Sequence, residues 1–306
     1  MPLGVKDAVF IVNPLAGGGR RMKQVEEARR IFRDAGIETE LQPTTAPGHA
    51  TELAHQAVAQ ARQLAIVCGG DGTVNEAVNG LACSQVPMAI LPAGTANVLA
   101  KELSLPWNLP QASRLLTQME FRRIALGLAV PEKSSGAPRY FISLAGAGPD
   151  GAIVSAVRPE IKLKAGIIAY WQEGFRQLTS YKFPTFRVST NGQSEVATLV
   201  VIGRTKHYGG PFQITTKADL LGNDFELVLI TTQSAWRYLG YLPLLFMKKL
   251  RGVKYVKYWR STSLQCEATD GVPVLIQVDG EPAGRLPAEF RIVPDALTLA
   301  MPRAML

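Results

Sequence analysis

Three times within the first 103 residues, an uninterrupted apolar run ends in a glycine-rich loop and then a segment of helical period. The runs are AVFIVN at 8–13, LAIVC at 64–68 and PMAILP at 87–92. The loops read Asn13-Pro14-Leu15-Ala16-Gly17-Gly18-Gly19-Arg20, then Gly69-Gly70-Asp71-Gly72-Thr73-Val74-Asn75-Glu76, then Leu91-Pro92-Ala93-Gly94-Thr95-Ala96-Asn97. Strands without polar alternation are strands covered on both faces, and parallel sheets wrapped by helices supply that environment. The intervening segments agree. Met22, Val25, Ala28, Ile31 and Phe32 share one helical face, Gly36 stops that helix, IETEL at 37–41 makes a second short strand, and 48–63 is alanine-rich with helical period. The expected architecture is α/β, a doubly wound parallel sheet whose loops after the strands line one edge, the usual place for a ligand.

The pattern changes after about residue 122. IALGLAVP, RYFISLAG, FRVSTN, ATLVVIG, FELVLIT, SLQCEA, VPVLIQVDGE and EFRIVP read as short strands separated by turns, with helical insertions at 153–181 and 236–250. The chain therefore divides into an α/β domain at 1–125 and a β-rich, sandwich-like domain at 126–306. Whether the last residues pack back on the first domain stays open. A charged fraction of 19% against 47% hydrophobic residues excludes a disordered or fibrous chain. Three cysteines and three histidines at unrelated positions exclude a disulfide framework and a histidine-cluster metal site. The N-terminus runs into a glycine turn and reads as a first strand rather than a signal peptide, and no apolar window is long enough to span a bilayer. The formal net charge of +8 predicts attraction to polyanions without choosing among them.

Each loop has a chemical and a plain structural reading. In the first, Gly17, Gly18 and Gly19 let backbone amides approach a phosphate at a helix N-terminus, with Arg20 and Arg21 to add charge. It lacks the GK[ST] ending of a P-loop. In the second, Asp71 is placed to hold a cofactor hydroxyl, a neighbouring side chain or Mg²⁺, while Thr73 and Glu76 stand in capping-box register. In the third, Gly94 opens space, and Thr95 and Asn97 offer polar contacts or an ordinary helix cap. Late in the chain, Asp279-Gly280-Glu281 follows an apolar strand. It reads as a carboxylate pair able to position a hydroxyl, or as a tight hairpin turn, which Asp-Gly favours.

VNPLAGGG at 12–19, GGDGTVNE at 69–76, LPAGTANVLAKEL at 91–103, FISLAGAGPDGAIV at 141–154 and QVDGEP at 277–282 occur in one order along nearly the whole chain. In these motifs the chain resembles the bacterial diacylglycerol/lipid kinase family, which shares its catalytic domain with sphingosine and ceramide kinases and is related to NAD kinases and phosphofructokinases. The resemblance implies an NAD-kinase-like arrangement and ATP-dependent phosphorylation of a lipid hydroxyl. It carries ATP contacts to Gly69, Gly70, Asp71, Gly72, Thr73, Val74 and Asn75, with Thr95 and Thr45. It makes Glu281 the proton acceptor with Asp279 in support, and it brings Mg²⁺ with the nucleotide. The alternatives are a kinase for a sphingoid base or non-lipid alcohol, and a nucleotide-responsive regulatory module without catalysis.

Two departures from the family pattern stand out. Family members often hold an accessory structural Mg²⁺ in an Asp-Asp-Gly or Asn-Asp-Gly turn of the second domain. Here the corresponding stretch is Ala218-Asp219-Leu220-Leu221-Gly222-Asn223-Asp224, with Gly222 where the liganding aspartate belongs. Asp219 and Asp224 are the only acidic substitutes, and they require a reshaped loop. The second departure is Pro149 after the last glycine of the 141–154 motif. Finally, KKLRGVKYVKYWR at 248–260 carries six basic and no acidic residues beside an apolar helix. With the resemblance, it implies a cytoplasmic protein that transiently meets an anionic membrane surface, with no nucleic-acid partner expected and a homodimer left open.

Overall fold

The computed structural model describes residues 4–19, 21–156, 181–208 and 212–302. Arg20 and the part of the expected 153–181 helical insertion from 157 to 180 lie outside the described residues. The chain forms two compact units, one of Met1–Ala125 with Pro294–Leu306, the other of Leu126–Val293.

The first unit contains β1 (Asp7–Val12), α1 (Met22–Asp34), β2 (Glu38–Pro43), α2 (His49–Ala59), β3 (Ala65–Gly69), α3 (Asp71–Leu81), β4 (Met88–Pro92), α4 (Val98–Glu102) and α5 (Leu109–Leu116). The strands are parallel in the order β2-β1-β3-β4. β3 and β4 are buried along their whole length and β1 at all but its first residue, as their apolar runs require. β2 lies at the edge and carries Glu38 and Glu40, charges that discourage a further strand from adding there. Chain direction reverses across the sheet between β1→β2 and β2→β3→β4. Right-handed crossovers then put α1 on one face and α2 and α3 on the other. Phe10 of β1 meets Phe32 of α1 edge-on, with ring centroids 6.3 Å apart.

The second unit is β-rich. After β5 (Glu120–Pro131), which leaves the first unit, come β6 (Arg139–Phe141), β7 (Leu144–Ala147), α6 (Pro149–Ala156), β8 (Phe186–Thr190), β9 (Gln193–Ala197) and β10 (Leu199–Gly203). Next are the short pair β11 (His207–Tyr208) and β12 (Phe212–Gln213), then β13 (Phe225–Ile230), α7 (Ala235–Phe246), β14 (Val256–Ser261) and β15 (Ser263–Ala268). The chain ends with β16 (Leu275–Val278), β17 (Glu281–Arg285) and the long β18 (Ala288–Met301). An antiparallel sheet runs β14-β13-β10-β7-β16-β17. The first part of β18 pairs with β15, which pairs with β8 and then β9. The core between these layers includes Phe141, Phe186, Phe225, Val278 and Phe290, with Phe141 stacked on Phe225 at 5.6 Å. The far end of β18 belongs to the first unit, where Leu299 lies in parallel register with Met88 of β4. Pro149 is the first residue of α6, a position at which a missing N–H costs nothing.

Candidate nucleotide and catalytic sites

The three loops of the first unit meet through specific contacts. The Asp71 carboxylate accepts from the backbone N–H of Asn97 through Oδ2 at 2.9 Å and from that of Val98 through Oδ1 at 2.6 Å. Asn97 in turn closes its own loop, accepting from Gly94 N–H and donating to Gly94 O, both at 2.9 Å. This clamp draws two backbones into contact. A Cβ on Gly94 would stand 2.4 Å from Cα of Gly70, so only glycine permits the approach. The first loop joins through Asn13, whose Nδ2 donates to Thr73 Oγ1 at 3.2 Å, and through Arg21, which donates to Pro92 O at 2.7 Å. Ala16–Gly19 make a tight turn in which Gly17 and Gly18 take left-handed backbone angles, with φ of 63° and 74°. Both are exposed, and a Cβ on Gly18 would meet no other atom within 4 Å.

Thr73, Val74 and Asn75, to which the resemblance carries nucleotide contacts, are all buried, and Asn75 has no exposed surface. Helix α3 begins at Asp71, two residues before Thr73, and turns their side chains inward. Gly70, Asp71, Gly72 and Gly94 remain partly exposed and Thr95 fully so. The first-turn amides of α3, which have no intrahelical partner, lie in this exposed stretch. Thr45 is exposed after β2, and its hydroxyl is 2.9 Å from His49 Nδ1, a partner the sequence did not signal. The capping box of Thr73 and Glu76 does not form. The cap residue of α3 is Gly70, and Glu76 instead accepts from Gly48 and Ala50 N–H at the start of α2. Each oxygen of Asp71 accepts one backbone amide, which ties the second and third loops together.

In the second unit, Asp279 and Gly280 are the two central residues of the β16–β17 hairpin, at φ of 48° and 82°. Both positive angles match the tight turn that Asp-Gly favours. The Asp279 carboxylate is buried and accepts three backbone N–H bonds at 2.9 Å, from Ile142, Ser143 and Leu144. It anchors the turn to the start of β7. Because Asp279 sits in the turn and not in a strand, the two carboxylates do not share a strand face. Glu281, half-buried, begins β17 opposite Val278.

A second device, unforeseen from sequence, fixes the same hairpin. Gln277 accepts from Gly280 N–H at 2.8 Å and donates to Asp150 Oδ2 at 2.7 Å. Asp150 also accepts from the Tyr208 hydroxyl. Burial pushes the Asp150 carboxyl above the usual carboxylate range, against the two hydrogen bonds that favour its charged form. Gly146 makes room for it, since a Cβ there would lie 2.0 Å from Asp150 Oδ2. His207 bonds with Gln213 at 3.1 Å. Cys68 is fully buried, and burial pushes its thiol up to about 12, which removes it from any reactive role.

The chemistry of the donors in the first unit, backbone amides and glycines at a helix start, fits a phosphate chain. Among the described residues no group of three or more His, Cys, Asp or Glu is arranged to hold a metal, and Mg²⁺ would fit as an ion carried by that chain. The accessory site at Asp219 and Asp224 does not fit. Asp219 accepts from Leu221 N–H at 3.0 Å, and both oxygens of Asp224 pair with Arg260 at 2.6 and 2.5 Å. The loop carbonyls of Leu220, Gly222 and Asp224 accept from the buried guanidinium of Arg204.

A parallel sheet with glycine-rich loops at its strand ends, followed in the chain by a two-layer β unit, defines the NAD-kinase-like class. Residues 7–129 match the diacylglycerol kinase catalytic domain, and residues 143–301 match the YegS C-terminal NAD kinase beta sandwich-like domain. The chain belongs to the bacterial diacylglycerol/lipid kinase family. It is 26% identical over 305 residues to the diacylglycerol kinase of Bacillus subtilis (strain 168), covering 98% of this chain and 97% of that one. It is 28% identical over 298 residues to the diacylglycerol kinase of Mycobacterium tuberculosis (strain CDC 1551 / Oshkosh), covering 96% and 94%. A diacylglycerol kinase structure from Bacillus anthracis str. Sterne shares the fold with a TM-score of 0.75 at 20% identity over 99% of each chain. Another structure from that organism reaches 0.80 at 22% identity over 98% of this chain and 97% of that one.

Proposed function

We propose that the protein transfers the γ-phosphoryl group of ATP to the hydroxyl of a diacylglycerol-like lipid. The observation that carries this reading is the clamp of Asp71 on Asn97 and Val98, which brings the glycine backbones of two loops together at a helix start. When bound, ATP supplies the phosphoryl group and its Mg²⁺ neutralises charge on the β- and γ-phosphates. The amides around Gly70–Gly72 and the exposed glycines 17 and 18 hold the phosphate chain. Glu281 orients the lipid hydroxyl and accepts its proton as the new O–P bond forms and the bond to the leaving diphosphate breaks. Asp279 and Gln277 keep the turn that carries Glu281 from shifting, which preserves that alignment. The lipid is met at an anionic bilayer surface, approached by the exposed end of α7.

The test is phosphotransfer from labelled ATP to a panel of diacylglycerol, monoacylglycerol, phosphatidylglycerol, sphingosine and ceramide in mixed micelles. Transfer to diacylglycerol is expected to dominate. Transfer to none of them by protein that binds ATP would overturn the reading in favour of a regulatory module. Glu281→Gln keeps the fold and ATP affinity and loses at least about a hundredfold in kcat, the usual range for a general base. Unchanged turnover would remove Glu281 from that role.

A further inference from the structure

Arg204, at the end of β10, has no exposed surface at all. Long cationic side chains almost never reach that state unless paired. Its guanidinium lies inside the loop between β12 and β13, where Nη1 donates to Gly222 O at 2.5 Å and Asp224 O at 3.3 Å, and Nη2 donates to Leu220 O at 2.7 Å. Three carbonyls of one short segment thus converge on one positive group. Two carboxylates complete the surroundings. Asp219 and Asp224 both act electrostatically to keep the guanidinium charged, against a burial cost that lowers its pKa to about 10. Asp224 also holds Arg260, which donates to Lys217 O at 3.0 Å from the solvent side. Arg204 and Arg260 therefore share the carboxylates of Asp219 and Asp224.

A ring of carbonyl oxygens with nearby carboxylates is what a hard divalent cation asks of a protein. Here the same oxygens point at nitrogen donors. A metal ion would have to displace Arg204 and leave its charge buried and unpaired, which is strongly unfavourable. Gly222 removes any further ligand, and a side chain placed there would press on Asp219 O, 3.3 Å from its Cβ.

We infer that Arg204 is the resident cation of the 217–224 loop, occupying with its own guanidinium the place a structural divalent metal would take, so that this loop folds without one. The consequence is specific. The 217–224 loop then sets no metal requirement for the fold.

The experiment uses the whole, nucleotide-free protein. Thermal unfolding in EDTA and in millimolar Mg²⁺ is expected to give the same midpoint. Titration with Mn²⁺, read by electron paramagnetic resonance of the free ion, should show no site that Asp219→Asn removes. A saturable rise in midpoint with Mg²⁺ that Asp219→Asn abolishes, or a bound Mn²⁺ lost in that variant, would overturn the inference. Arg204→Met keeps length and volume but removes the charge, and its midpoint should fall by several degrees. Arg204→Lys, with charge but fewer donors, should fall less. A methionine variant as stable as the wild type, or more stable than the lysine variant, would show that Arg204 only fills space. Should neither variant fold, the wild-type metal titrations still decide the matter.

Discussion

Replacing Asp71 with alanine leaves the amides of Asn97 and Val98 without their carboxylate and frees the loop containing Gly94 from the loop containing Gly70. Hydrogen bonds to a charged acceptor contribute about 1.5–3 kcal/mol each, and a partly exposed site recovers some of that from water. Asp71→Ala should therefore cost ~2–3 kcal/mol in urea unfolding and weaken ATP binding at least tenfold by calorimetry. A normal ATP affinity would detach the clamp from nucleotide binding. At this scale the sequence showed that an aspartate between glycines has a task, but not which. Its partners are backbone amides 26 and 27 residues away, and backbone groups carry no sequence signature. The same limit applies to Thr73, Val74 and Asn75. Gly70 and Gly72 beside them in the motif are partly exposed, and only the true start of α3 turns these three inward. Arg204 gave no signal at all, because a buried arginine and a surface arginine are written alike.

Among elements, Glu76 illustrates how a local pattern is overridden by packing. Thr73 and Glu76 have the spacing of a capping box, yet Glu76 reaches across to cap α2, accepting from Gly48 at 2.8 Å and Ala50 at 3.1 Å, while Thr51 donates to Glu76 O at 2.9 Å. The two helices come close enough for this because Gly80 lies against α2, where a Cβ would stand 2.5 Å from both Ala54 Cβ and Thr51 O. Glu76→Gln turns an NH₂ group toward one of the two backbone donors. It should destabilise the protein by ~1–2 kcal/mol, the range for a lost cap. Hydrogen exchange should accelerate at 48–52 and not in α1. Equal acceleration in both helices would mean a global loss rather than a lost cap. The strands were legible because burial on both faces leaves an unbroken apolar run. The first helices were legible because one face repeats. Helix α5 was missed although its signals are present, since Asn108 accepts from Gln111 N–H at 2.9 Å and Pro110 stands in the first turn. Its short length hid its period.

For the molecule as a whole, the net charge of +8 matters by where it is exposed. The stretch 248–260 reads as one basic patch, but the fold divides it. Lys257 pairs with Glu195, Arg260 with Asp224 and Arg251 with Glu226, so half of its six cations face carboxylates. Lys248, Lys249 and Lys254 are exposed, and they adjoin the end of α7, where Phe246 and Met247 are 67% and 51% exposed. Trp236, at the start of the same helix, is 83% exposed. Bare apolar side chains beside lysines at the end of a helix are the combination that holds it at an anionic interface, and no helix among the described residues is long and apolar enough to cross one. The surface proposed to meet the membrane therefore shifts from 248–260 toward 236–254. Sequence could not make this division, because it lists the cations and not their partners. Co-sedimentation with phosphatidylglycerol vesicles at low salt should show binding that weakens as salt rises and is slight for phosphatidylcholine. Reversing two exposed charges in Lys248→Glu/Lys249→Glu should lower partitioning by about tenfold or more, and Trp236→Ser should lower it by a comparable factor. Lys257→Glu should change it far less, because that ammonium already answers Glu195. Equal losses from Lys257→Glu and the double variant would return the footprint to the whole stretch. No binding to anionic vesicles even at low salt would remove the membrane surface from the list of partners.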